Sequence, residues 1–152
     1  MHLICYNNKM IKIIAGGKKS KNWVLEAQNE YLKRLVKPFD VEIQYMDDEK
    51  VANLGNNWPF GTDHYVILLD ERGEKISSPT LSQKLSDAFL RGRRVVIIIG
   101  GAFGVTEETR QKADFVWSIS KLVFPHELMR VLLSEQIYRA QEIFRGGKYH
   151  HS

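Results

Sequence analysis

Apolar residues along the chain gather into short strand-like runs, separated by longer stretches in which they recur every three or four positions. The runs are Ile11 to Ala15, Val41 to Met46, Tyr65 to Leu69, Val95 to Ile99 and Phe115 to Ile119. Several show no alternation, which predicts strands covered on both faces and therefore a mostly parallel sheet. The longer stretches predict helices. Asn22 to Lys37 sets Val24, Ala27, Tyr31 and Leu35 on one side and is stopped by Pro38. Ser78-Pro79 opens a helix with Leu81, Leu85 and Phe89 on one face and Gly92 after it. Thr106 caps a short helix whose first turn holds Glu107 and Glu108, both suited to the positive end of the dipole. The final helix, from about Pro125 to Phe144, keeps Leu133, Ile137, Ala140 and Phe144 in register, and Leu128, Val131 and Leu132 widen that stripe. So broad a face exceeds what one small sheet covers and points to a partner subunit as second cover. Strand and helix alternate, which gives an α/β architecture. Asp47 to Asp63 is the exception: with Gly55, Asn56, Asn57, Trp58, Pro59 and Gly61 and little helical periodicity, it reads as an irregular loop.

Length and composition narrow the picture. At 152 residues the chain fits one domain that buries most of its apolar surface without staples. The single cysteine, Cys5, has no internal partner, and five scattered histidines show no zinc-type spacing, so neither a disulfide nor a metal is expected. No apolar run reaches the roughly 18 residues of a membrane span, and Met1 to Met10 does not resemble a signal peptide. A soluble, cytoplasmic protein is the expectation. Met10 is followed at once by a strand, so residues 1–9 read as an upstream extension and residues 10–152 as the domain. The 22 Lys and Arg against 18 Asp and Glu give a mild bias toward polyanions. Its distribution says more, with clusters at Lys18, Lys19 and Lys21, at Arg91, Arg93 and Arg94, and at Arg139, Arg145 and Lys148. Each is either a polyanion contact or ordinary solvated surface.

Candidate chemistry concentrates in the last third. Gly100-Gly101-x-x-Gly104 follows a strand and precedes a capped helix, the place where open parallel sheets bind ligands outside the carboxyl ends of their strands. It is not a dinucleotide fingerprint: the spacing is wrong, and Asp114 precedes the next strand instead of ending it. Leu69 ends a strand in the same way. Asp70 and Glu71 after it read as surface acids of a turn, because neighbouring positions on an extended chain face opposite ways. Ile119 to Phe124 joins the fifth strand to the last helix with apolar Leu122, Val123 and Phe124, which either pack in the core or wall a pocket. His126 and Arg130 share a face at the start of the last helix. The histidine reads as a structural hydrogen-bonder or a catalyst, and the Tyr149-His150-His151 tail as a frayed end or a contact.

Several of these stretches occur together in one known family. Ile99-Gly100-Gly101, the run WSISKLVFPHELMR from Trp117 to Arg130, Glu135-Gln136-Ile137-Tyr138-Arg139-Ala140 and the terminal Tyr149-His150 closely resemble the SPOUT-class methyltransferases that modify a pseudouridine of bacterial 23S ribosomal RNA at ring nitrogen 3. The likeness spans Met10 to the end. It implies an α/β fold with a deep C-terminal trefoil knot, S-adenosylmethionine in the knotted loops, and a homodimer that sets the tail of one subunit beside the cofactor of the other. Carried over by position, it implies a cofactor pocket of Leu69, Gly100, Ile119, Ser120, Lys121, Leu122, Val123 and Phe124. His126 or His150 becomes the proton acceptor, and Arg130, Tyr149 and His150 the RNA side. No metal is implied. The chain departs from the family in a shorter segment between the second and third strands, where members carry a helix, and in Phe103, where members often have a smaller or polar residue. The expected activity is methylation of ribosomal RNA on the assembled ribosome. The competing readings are a non-catalytic ribosome-binding protein of the same fold and, more remotely, a nucleotide-binding oxidoreductase.

Overall fold

The computed structural model describes residues 8–151, so Cys5 and most of the expected N-terminal extension lie outside the described residues. Five strands form one parallel sheet in the order β2-β1-β4-β3-β5: β1 is Ile11–Gly16, β2 Val41–Met46, β3 His64–Lys75, β4 Arg94–Ile99 and β5 Phe115–Ser118. The helices are α1 (Asn22–Leu32), α2 (Asp48–Ala52), α3 (Ser78–Leu90), α4 (Glu107–Lys112) and α5 (His126–Phe144).

The continuous runs are strands buried on both faces, and β4 shows why. Val95, Ile97 and Ile99 join Ile11, Ile13, Leu81, Leu85, Leu133 and Ile137 in one core under α3 and α5. Val96 and Ile98 join Ile14, Val51, Leu54, Phe60 and Leu68 in a second core on the other face. Ser77 caps α3 by accepting from the Thr80 amide at 3.2 Å, with Pro79 in the first turn. Thr106 caps α4 as expected, accepting from the Thr109 amide at 3.2 Å.

Three expectations need correction. The stretch Asp47 to Asp63 is not an irregular loop, because it holds α2 and a 3-10 turn at Leu54–Asn57. Asp48 and Glu49 sit at the positive end of α2, and Val51, Ala52, Leu54 and Phe60 are buried. Five helical residues are too few for a period to show. A buried Thr109 ties the segment to α4: its Oγ1 donates to the Ala52 carbonyl at 2.9 Å and accepts from the Gly55 amide at 2.8 Å.

The helix α1 stops at Leu32 instead of Lys37. Pro38 disfavours helical geometry at the residue before it, and a long-range partner takes over the backbone groups near this end. The buried Gln141 of α5 accepts from the Val36 amide at 2.8 Å and donates to the Arg34 carbonyl at 3.0 Å.

The strand β3 runs on past Leu69 to Lys75, so Asp70 and Glu71 lie in a strand and not in a turn. Its pairing with β5 shifts register between Leu69 and Glu74. A shift of this kind is a local irregularity in the ladder between the two strands.

Candidate functional site: a cleft at the carboxyl ends of β3 and β4

Where β3 and β4 end side by side, the chain opens a cleft of about 630 Å³, inside the range of small-molecule sites. One wall is the turn after β4, Gly100 to Val105, closed by the Gly104 amide donating to the Gly101 carbonyl at 3.0 Å. The other is the link from β5 to α5. Within that link Ser120 Oγ accepts from the Leu122 amide at 3.0 Å, and Ser118 Oγ donates to the Ser120 carbonyl at 2.8 Å. These bonds hold the loop in shape and leave its apolar side chains outward. Leu122 is 68% exposed, Val123 78%, and Phe103 across the cleft 82%. Three large apolar groups open to water at the mouth of one cleft mark a surface shaped for a ligand.

Of the residues expected around a cofactor, Leu69, Gly100, Ile119, Ser120, Leu122, Val123 and Phe124 line this cleft, and so does His126. Lys121 points to an adjoining hollow with Arg72, Lys75 and Ser118. Arg130, Tyr149 and His150 line neither.

Gly101 is the tightest point. A Cβ there would lie 1.6 Å from Asp48 Oδ1, so the carboxylate occupies the space a side chain would need. The α2 segment thereby buttresses the turn from behind, a role that no local pattern in the chain suggests. Asp70 also lines the cleft, at the far side of β3. Burial pushes its carboxyl up, but hydrogen bonds from Arg72 and the Arg110 charge outweigh that and hold it below its ordinary value. Arg72 Nη2 lies 3.1 Å from Asp70 Oδ2, and Arg110 pairs with the same oxygen more closely still.

Arg130 turns inward. It is 1% exposed, its Nη2 donates to the Gly16 carbonyl at 2.7 Å, and its Nη1 donates to the Lys18 carbonyl at 3.1 Å and to Ser20 Oγ. Its guanidinium also sits 5.1 Å from the Tyr45 ring centroid. A direct phosphate contact needs a guanidinium turned to solvent, and this one is engaged with the link between β1 and α1.

The tail is ordered by α5 instead of frayed. Tyr149 Oη donates to Glu135 Oε1 at 3.1 Å, and the Tyr149 ring packs edge-on against Tyr138 with centroids 4.7 Å apart. Arg139 donates from Nη2 to Glu135 at 2.6 Å and from Nη1 to His150 Nδ1 at 3.2 Å. Burial, and after it the Glu135 charge, push the Tyr149 hydroxyl up, so it stays protonated. Sequence reasoning missed Glu135 and Arg139 as the holders of the tail, although their spacing of four on one helix was a usable signal. Among the described residues no group of three His, Cys, Asp or Glu is placed to hold a metal ion.

The family described as predicted SPOUT methyltransferase matches residues 10–150. The chain belongs to that family. Its relatives include proteins named ribosomal RNA large subunit methyltransferase H. The one from Desulfitobacterium hafniense (strain Y51) is 39% identical, with 92% of this chain and 98% of the relative aligned. The one from Methylobacillus flagellatus is 36% identical, covering 92% and 97%. Among solved structures, a probable methylase family protein from Haemophilus influenzae Rd KW20 matches with a TM-score of 0.54 at 15% identity, over 95% of this chain and 71% of that one. A putative methylase family protein from Neisseria gonorrhoeae gives 0.53 at 13%, over 95% and 87%. These two likenesses speak for the fold alone.

Proposed function

We propose that this chain methylates ring nitrogen 3 of a pseudouridine in 23S ribosomal RNA, on the assembled ribosome in the cytoplasm, as a homodimer that uses S-adenosylmethionine. The observation that carries the reading is the cleft itself: two loops from separate parts of the chain, Gly100 to Val105 and Ile119 to Phe124, face each other at the carboxyl ends of adjacent strands. The name the relatives carry supports ribosomal RNA as substrate.

The lining fits the cofactor. Leu69, Ile119, Leu122, Val123 and Phe124 offer apolar walls for adenine and the methionine chain, and the amides and carbonyls of the same loops offer partners for the adenine edge. When bound, S-adenosylmethionine supplies a methyl group made electrophilic by its sulfonium. What remains for the chain is to place a ring nitrogen in line and take its proton. We assign the proton to His126, the histidine in the cleft wall. His150 has a different task. Arginine only donates, so its bond to His150 Nδ1 leaves the proton of the neutral ring on Nε2, which makes that atom a donor toward a base carbonyl.

The tail is held along α5 away from the cleft of its own subunit: Glu135, which binds Tyr149, is nine steps on from His126, and Arg139, which binds His150, is thirteen, about 14 and 20 Å at 1.5 Å per residue. A second copy that brings its tail to this cleft completes the site. Leu128, Val131 and Leu132 of α5 are only half-buried and belong to neither core, which supports α5 as part of that interface.

The deciding experiment is mass spectrometry of 23S rRNA from a strain lacking the protein, before and after its ribosomes are treated with protein and S-adenosylmethionine. One added methyl on a pseudouridine is expected. Ribosome binding without methyl transfer would leave a binding module of the same fold.

A further inference from the structure

We propose that the link between β1 and α1, residues 17–21, is a phosphate-binding arm for the RNA, and that Arg130 is the residue that positions it. The proposal rests on the RNA-directed reading above. Burying a guanidinium is unfavourable unless its donors are matched. Burial does push Arg130 down from its ordinary value. The acceptors recruited to offset this are the Gly16 carbonyl at the end of β1 and, in the link itself, the Lys18 carbonyl and the Ser20 hydroxyl, with the Tyr45 face beneath. The buried charge thus fixes the course of that link.

The link displays Lys18, Lys19 and Lys21. All three are exposed, and among the described residues none makes an ion pair or side-chain hydrogen bond. No acid stands in the first turn of α1 to neutralise them. Trp23, 55% exposed, comes directly after and offers an aromatic face.

The arm also adjoins the reaction site. A Cβ at Gly17 would lie 3.5 Å from Arg130 Nη2 and 3.9 Å from His126 Nε2, so one face of α5 supplies both the clamp and the histidine of the cleft wall. Lysines on an unfixed surface loop carry no such information. Three unpaired lysines on a link held by a buried arginine, beside the cleft, match a polyanionic backbone entering that cleft.

The test uses the full chain with lysines 18, 19 and 21 changed to glutamine, and the separate variant Ser20→Ala, which removes one acceptor of Arg130 and no charge. Binding to ribosomes from the deletion strain is measured across a salt series, with cofactor affinity by calorimetry and oligomer mass by sedimentation. The triple variant is expected to lose affinity at least about tenfold near 0.1 M salt, with a slope of log affinity against log salt shallower by about 2 to 3. Its cofactor affinity and mass should be unchanged. Ser20→Ala should weaken ribosome binding severalfold at an unchanged slope. Unchanged affinity and slope in the triple variant overturn the proposal. So does a change of oligomer mass without loss of RNA binding, which would assign the lysines to a second copy. Because the readout is binding, a wild-type protein that binds ribosomes but transfers no methyl would defeat the methylation reading and leave the arm standing.

Discussion

At the scale of single residues, much depends on side chains that fill the space beside a glycine or a carboxylate. Alanine at Gly101 would place a Cβ 2.4 Å from Asp48 Cγ as well as against its oxygen, so the carboxylate must swing away. Gly101→Ala is expected to lower stability by about 1–3 kcal/mol. In a Gly101→Ala/Asp48→Ala double variant, about 1 kcal/mol of that should return as coupling, read from urea denaturation. Additive effects would show that the two do not meet. Asp70 gives a pH prediction. Its folded carboxyl holds its proton less tightly than the unfolded one, so its contribution is present above about pH 4 and lost as pH falls through the lower folded value. The thermal midpoint of Asp70→Asn should therefore lie below wild type near neutral pH and converge on it as pH falls below the folded value, a gap followed by calorimetry. The cleft glycines and the apolar Leu122 to Phe124 were legible in the sequence, because apolar residues in a loop require a reason. Arg130 was not. A sequence shows that a charge is present but not that its acceptor is a carbonyl 112 positions upstream.

Among elements, local pattern served where an element is stabilised by its own residues and failed where a distant one sets its limits. The run on β4 matched its strand because burial on both faces demands unbroken apolar sequence, and β1 and the edge strand β2 matched theirs although Lys12, Glu42 and Gln44 interrupt them. The end of α1 was misplaced because Gln141 of α5 takes up the Arg34 carbonyl and Val36 amide just beyond it, and α2 was missed because Thr109 of α4 anchors its final carbonyl and the turn beyond it. Gln141→Ala should then leave the Val36 amide and the Arg34 carbonyl without partners. A loss of about 1–3 kcal/mol in urea denaturation is expected, with faster amide exchange confined to residues 32–37. Exchange rising evenly over the chain would mean that the glutamine supports the core in general and not this helix end.

For the whole molecule, the separation of tail from cleft within one chain makes a statement about assembly. Two inactive variants, Gly100→Trp to block the cleft and His150→Ala to disable the tail, should complement each other when mixed and refolded together. Half of the dimers are then mixed and each holds one intact cleft facing one intact tail, so activity should recover to about one quarter of wild type. No recovery, with mixed dimers shown to form, would place cleft and tail in the same subunit. The parallel α/β architecture was readable from the order of strands and helices, since covered parallel strands need crossover helices. The surface that would meet a second copy in the proposed dimer shows in the sequence only as an excess of apolar residues on the last helix.

The backs of the two glycine links touch. A side chain at Gly16 would lie 2.5 Å from the Gly101 amide nitrogen, so the end of β1 and the turn after β4 share a single thickness of backbone. Whatever leans on one side of that partition is felt on the other. If the methyl donor tightens the chain's hold on the ribosome through it, reciprocity requires the ribosome to tighten its hold on the donor by the same factor. The order in which the two arrive would then alter the path to the loaded enzyme and not its final stability.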